Sequence, residues 1–176
     1  MEHLKYPVGR YSAPGKITPA IIGQWIDSIA AQPARFRELL QGLTEEEMNL
    51  TYRPEGWTIR QVIHHVVDSH LNSYIRFKWT LTEEHPTIKA YYEDRWAQLE
   101  DTFQTPVEVS LKLLEALHQR WTILLKSMDT DQLKRTFVHP ESGKTIRLDE
   151  LISLYAWHGD HHIAHIELAL GRRKKI

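Results

Sequence analysis

Four of the chain's eleven histidines fall between positions 158 and 165, in the segment Trp157-His158-Gly159-Asp160-His161-His162-Ile163-Ala164-His165. Leu151, Ile152, Leu154, Tyr155, Ile163, Ile166, Leu168 and Leu170 flank and interleave them at helical spacing, so the imidazoles interrupt a stripe that would otherwise face a core. Buried imidazoles need polar partners. On a helix, His158 and His162 form an i, i+4 pair, and so do His161 and His165, with rings close enough to share an ion. The rest of the chain must therefore enclose this segment, and a divalent metal is the simplest partner that satisfies several imidazoles at once.

The means to enclose it are present. With 176 residues, 41% hydrophobic and 26% charged, the chain matches one globular domain, 1–176, large enough for a substantial core. A net charge of -1 argues against nucleic acid or an anionic membrane as a partner. The basic run Arg172-Arg173-Lys174-Lys175 reads as a frayed tail after Gly171. Absence of cysteine excludes disulfides, thiolate nucleophiles and cysteine-type zinc sites, leaving His, Asp and Glu as ligands. Neither a signal-like apolar core at the start nor a run of about 18 apolar residues occurs, so a cytoplasmic location is expected.

Residues 1–17, with Pro7, Gly9, Pro14 and Gly15, read as an extended arm. Thr18-Pro19 opens a first long helix as cap and first turn, its apolar positions being Ile21, Ile22, Trp25, Ile26 and Ile29. Pro33 predicts a kink or a break before the period resumes at Phe36, Leu39 and Leu40, so about 18–42 reads as one bent helix or two in line. Thr44-Glu45-Glu46-Glu47 has capping-box spacing for a short turn. Thr58 and Gln61 cap a second long helix with the stripe Ile59, Val62, Ile63, Val66, Val67, Tyr74 and Phe77. His65, Ser69, Asn72 and Arg76 form a polar row bordering that stripe, as the wall of a pocket would. His64, Asp68 and His70 are placed elsewhere on the helix surface, with Asp68 a candidate to orient an imidazole. Residues 82–105 predict a long connection with at most a short helix. Thr105-Pro106 with Glu108 repeats the cap-and-box pattern before a third long helix marked by Val109, Leu111, Leu113, Leu114, Leu117, Trp121, Leu124 and Leu125. Residues 136–148 suggest a small hairpin. The last helix runs from about Asp149 to Leu170 and stops at Gly171.

Four long amphipathic helices with one long connection indicate an all-α four-helix bundle, whose sites are built between facing helices. Spacing leaves two seams open on the last helix. One passes through Leu151, Tyr155, His158, His162, His165 and Ala169, and the other through Leu154, His158, His161, His165 and Leu168.

The string from Gly56-Trp57-Thr58 to His64-His65-Val66-Val67-Asp68-Ser69-His70, followed by Asn72 to Lys78, closely resembles the DinB-like superfamily and, within it, the YfiT-like metal-dependent hydrolases. Trp157-His158 through His165 matches their second signature, and Tyr6-Pro7-Val8-Gly9 is similar to their N-terminus. The resemblance covers nearly the whole chain. It implies that His65 joins His158 and His162 in holding one divalent ion per subunit, with His64, His161 and His165 outside the ligand set. It also implies a hydrolase acting on a small-molecule substrate, and a homodimer; the aromatic-rich connection with Tyr91, Tyr92 and Trp96 is a candidate contact surface and equally a candidate lid over its own core. Three neutral imidazoles leave a coordination position for water, as in catalytic sites, and zinc and nickel both suit them. Two other readings fit the same ligands. One is S-transfer to a low-molecular-weight thiol of the bacillithiol type, with Arg76 recognising a carboxylate on it; the other is an ion that only ties two helices together.

Overall fold

The computed structural model describes residues 2–172. Each of the four long helices keeps its apolar stripe on the inside, which fixes how they group. They are α2 (Pro19–Leu40), α4 (Ile59–Thr82), α7 (Val107–Ser127) and α9 (Leu148–Ala169). Helix α2 packs against α7 and α9, and α4 packs against the same two, so α2 and α4, consecutive among the long helices, face each other across the diagonal of a four-helix bundle. Shorter elements fill the connections: α1 (Glu2–Lys5), α3 (Glu45–Met48), α5 (Glu93–Trp96), α6 (Glu100–Gln104) and α8 (Thr130–Leu133). An antiparallel hairpin precedes α9, pairing β1 (Thr136–Val138) with β2 (Thr145–Arg147), Phe137 opposite Ile146. Among the described residues, no helix is long and apolar enough to cross a membrane.

Local chemistry explains most boundaries. Thr18 caps α2, accepting from Ile21 N, and capping boxes close the starts of α3 (Thr44, Glu47) and α4 (Thr58, Gln61). Gly171, at φ 64, takes the left-handed conformation that ends α9. Four expectations need correction. Helix α2 runs unbroken through Pro33, because α7 and α9 hold it on both sides of the proline. The Thr105–Glu108 box does not form; Glu108 is drawn instead into an ion pair with Arg37 at 3.0 Å, and Pro106 stands at the cap without a side-chain bond. The long connection contains two one-turn helices rather than at most one. The N-terminal arm begins with the turn α1 before it becomes extended. Of the basic run, Arg172 donates to the Leu39 carbonyl, and positions 173–175 lie outside the described residues.

The interior has two apolar clusters. One gathers Ile29, Phe77, Trp121, Phe137, Leu148, Ile152 and Tyr155; the other gathers Phe36, Val62, Ile63, Val66, Leu114, Ile163 and Ile166. Burying each of the larger side chains contributes about 1.5–3 kcal/mol. Read along the helices, the two clusters are separated at Gln32 of α2, His70 of α4, His118 of α7 and residues 158–162 of α9. A layer of buried polar groups therefore crosses the bundle, comprising Gln32, His70, His118, His161 and His162. Gly159 lets α2 and α9 come close there, since a Cβ on it would stand 2.1 Å from the Gln32 amide. That amide donates to the Tyr155 and Ala156 carbonyls at 3.0 and 3.3 Å.

Candidate metal centre

Helices α4 and α9 bring His65, His158 and His162 together: one ring nitrogen from each lies within 4.8 Å of the others. His65 and His162 are buried and His158 is half-buried. This places the seam through His158 and His162, rather than the one through His161, toward α4. The centroids of the His65 ring and of the His158 and His162 rings are 5.5 and 4.9 Å apart, and Trp57 covers the other side of His65 at 4.6 Å.

Two hydrogen-bond chains decide which nitrogens carry protons. The first starts at a proline. Pro33 has no N–H, so the Ile29 carbonyl four residues earlier loses its helical partner, and His118 Nδ1 donates to it at 2.7 Å. A neutral His118 then has a bare Nε2, which accepts from His70 Nδ1 at 2.8 Å. His70 Nε2 is bare in turn and accepts from His158 Nδ1 at 3.0 Å. The proton of His158 therefore sits on Nδ1, and its Nε2 presents a lone pair.

The second chain starts on the N-terminal arm. His165 Nε2 donates to the Lys5 carbonyl at 3.1 Å, and its Nδ1 accepts from His162 Nδ1 at 3.3 Å. His162 Nε2 is thereby bare as well. The two bare atoms, Nε2 of His158 and Nε2 of His162, face each other at 3.2 Å.

Both chains require neutral rings, and burial provides them. Desolvation lowers His65 and His118 to about 4 and His165 to about 3. It also holds His70, His158 and His162 well below the ordinary histidine value, with neighbouring imidazoles adding to the effect. Two lone pairs aimed at each other repel unless a cation lies between them. Two nitrogens bound at about 2.0–2.1 Å to one tetrahedral ion stand roughly 3.3–3.4 Å apart, close to the spacing found here. The donor set thus fits a divalent ion, with His65 as third donor.

The remaining histidines are accounted for differently. His64 bonds Ser110 Oγ at 2.7 Å, away from the cluster. His161 stacks on Trp157 at 4.5 Å, and His165 on Tyr52 at 3.9 Å. Asp68 forms no side-chain bond to an imidazole among the described residues. Burial and the nearby Asp101 raise it to about 6, and the work of orienting an imidazole falls to other histidines. His70, expected at the helix surface, is fully buried, because α4 is covered on nearly every side. Sequence reasoning missed His70 and His118 as partners of the cluster; the one available signal was Pro33, which marks a free carbonyl at Ile29.

Two clefts meet at His158. One, of about 590 Å³, is lined by Tyr6, Tyr52, Trp57, His65, His158 and His162 among others. The second, of about 490 Å³, lies between α4, α9, the hairpin and the 90–95 segment, and includes Ser69, Arg76, Tyr91, His139 and Tyr155. Glu93 and Asp94 border both.

The chain is similar to several known proteins over nearly its whole length. A protein of Bacillus mycoides (strain KBAB4) named "Putative metal-dependent hydrolase" is 51% identical over 166 residues, 94% of this chain and 95% of its own length. A protein of Halalkalibacterium halodurans with the same descriptive name is 47% identical over 170 residues, 97% of this chain and 98% of its own. Among solved structures, YfiT from Bacillus subtilis, described as "a probable metal-dependent hydrolase with an unusual four-helix bundle topology", superimposes with a TM-score of 0.93 at 43% identity, over 96% of this chain and 97% of that one. The family model described as the DinB superfamily matches residues 28–166, and the chain belongs to that superfamily.

Proposed function

We propose that this protein is a hydrolase of small molecules that works through one divalent ion per subunit, zinc or nickel, held by His65, His158 and His162. The observation that carries the reading is the pair of Nε2 lone pairs facing each other at 3.2 Å beside His65, each fixed by its own chain of bonds to a backbone carbonyl. The names borne by the curated relatives support the same reaction class.

An ion in that position supplies Lewis acidity, bringing the pKa of water toward about 7 or polarising a carbonyl. The chain's own residues prepare the place. His118 and His70 keep the proton of His158 on Nδ1, and the Lys5 carbonyl does the same for His162 through His165. Trp57 packs against the His65 ring and Tyr52 against that of His165, holding both imidazoles in place. The net reaction adds water across an ester or amide bond, the acyl carbon gaining the hydroxyl and the leaving group the proton.

The test is turnover by the metal-loaded protein against an ester and amide panel, and separately against a low-molecular-weight thiol with an electrophile. Hydrolysis that disappears with the metal supports the proposal. Turnover confined to the thiol arm would make the protein an S-transferase. Inactivity in both, with a melting temperature that falls on metal removal, would leave an ion that only ties α4 to α9. A cytoplasmic homodimer belongs to the same proposal. The exposed Tyr92, Trp96, Leu99 and Phe103 of the long connection support the dimer, and light scattering that returns a monomer mass at micromolar concentration would remove it.

A further inference from the structure

Arg76 and Arg60 are equally buried on α4, each 9% exposed, but they are treated differently. Arg60 pairs with Glu45 and reaches the Thr105 carbonyl. Arg76 pairs with no carboxylate among the described residues. Its one hydrogen bond is long, 3.4 Å from Nη2 to the Lys89 carbonyl, and its Nε has no partner. Burying an uncompensated guanidinium is costly, and folded proteins normally pair such a charge. The cost is understandable if the partner is a ligand, and Arg76 lines the second cleft, whose other end is His158.

We infer that this cleft binds the carboxylate end of the substrate on Arg76 and places the rest of the molecule toward His65, His158 and His162. Tyr91, Leu154 and Tyr155 supply apolar and aromatic walls for its body, and His139 stands on the hairpin side. Arg76 lies eleven residues beyond His65 on the same helix, about 16 Å of axial rise, and long helical side chains lean back toward the N-terminus. The carboxylate and the reacting bond of the substrate are therefore roughly 10 Å apart. The planar fork of a guanidinium matches a carboxylate. Glu93, Asp94 and Glu141 also line this cleft, and they repel a doubly charged phosphate more than a singly charged carboxylate.

What happens at the far end rests on the hydrolytic reading above, whereas the binding of the anionic end does not, and the two can fail separately. The probes are benzoate, phenyl phosphate and benzamide, titrated calorimetrically into metal-free and metal-loaded protein. Benzoate should bind both forms at least tenfold more tightly than benzamide, and more tightly than phenyl phosphate. Arg76→Met should remove that preference while keeping full metal content and native circular dichroism, and Arg76→Lys should restore part of it. Equal binding of benzoate and benzamide by the wild type would overturn the inference without reference to any variant. So would benzoate binding that requires the metal, tighter binding of phenyl phosphate than of benzoate, or an unchanged benzoate Kd in Arg76→Met. Loss of hydrolysis with benzoate binding intact would instead count against the proposed reaction.

Discussion

Replacing His118 with leucine tests the proton arrangement at the cluster without touching a proposed ligand. In the metal-free variant nothing accepts from His70 Nδ1, which stood 2.8 Å from His118 Nε2. His70 avoids a buried unsatisfied donor by moving its proton to Nε2. It then donates to His158 Nδ1, and His158 moves its own proton to Nε2, where it meets the bare Nε2 of His162 at 3.2 Å. The relaxed apo state has no orphaned N–H. Binding an ion must reverse both shifts and strand the His70 Nδ1–H, a cost of about 1–3 kcal/mol. That is roughly a 5- to 150-fold loss of affinity, a span that contains the roughly 10- to 100-fold expected when the group orienting a metal-ligating histidine is removed. Competition titration against a chelator measures the loss, and imidazole 15N shifts in the metal-free protein report the tautomer directly. His118→Gln is the control. Its side-chain carbonyl can accept from His70 while its amide donates to the Ile29 carbonyl, so much of the affinity should return. An affinity within twofold of wild type in His118→Leu, or His158 still protonated on Nδ1, would refute the relay.

Three further outcomes are expected. Elemental analysis should find metal severely reduced in His65→Ala, His158→Ala and His162→Ala and retained in His64→Ala and His161→Ala; retention in His162→Ala with loss in His161→Ala would mean the wrong pair is assigned. Metal-free protein should lose stability in acid. His65 and His118 fall to about 4 and His165 to about 3 when folded, against about 6.5 unfolded, so stability present above pH 6.5 is lost as pH falls toward 4, on the order of 2 kcal/mol at pH 5 for any one of them. Urea denaturation at pH 7 and pH 5 checks this, and equal midpoints would contradict it. Gly159→Ala should lower stability by about 1–3 kcal/mol, because its Cβ would stand 2.1 Å from a Gln32 side chain that is fully buried and hydrogen-bonded to α9; a thermal midpoint equal to wild type would show that Gln32 moves aside.

The bundle was legible where a local rule and the apolar period agreed. Thr18-Pro19 and the Thr58–Gln61 box started α2 and α4 where expected, and the hairpin and the stop at Gly171 followed from turn residues. Rules that rested on one pair of side chains were weaker. Glu108 had Arg37 as a competitor for its carboxylate, and a box read from spacing cannot see a partner on another helix. The short α5 and α6 start at Tyr92 and Leu99 without a side-chain cap, so they left no mark.

At the site, helical spacing brought His158 within reach of both His161 and His162 but could not choose between them, since the choice depends on how α9 is rotated against α4. The partners of His158 were further out of reach. Which face of α7 meets α4 is a property of the packed bundle, and the anchor of the relay, the Ile29 carbonyl, is backbone that every residue has. Pro33 is what sets that carbonyl apart. A proline inside a segment whose apolar period continues on both sides points to a kink or a break; it equally marks an unclaimed acceptor four residues earlier. A free carbonyl in a core must be satisfied, and between helices whose backbone N–H groups are already used within each helix, a buried side-chain donor is the natural source. His118, one turn before the core residue Trp121, was the group to examine.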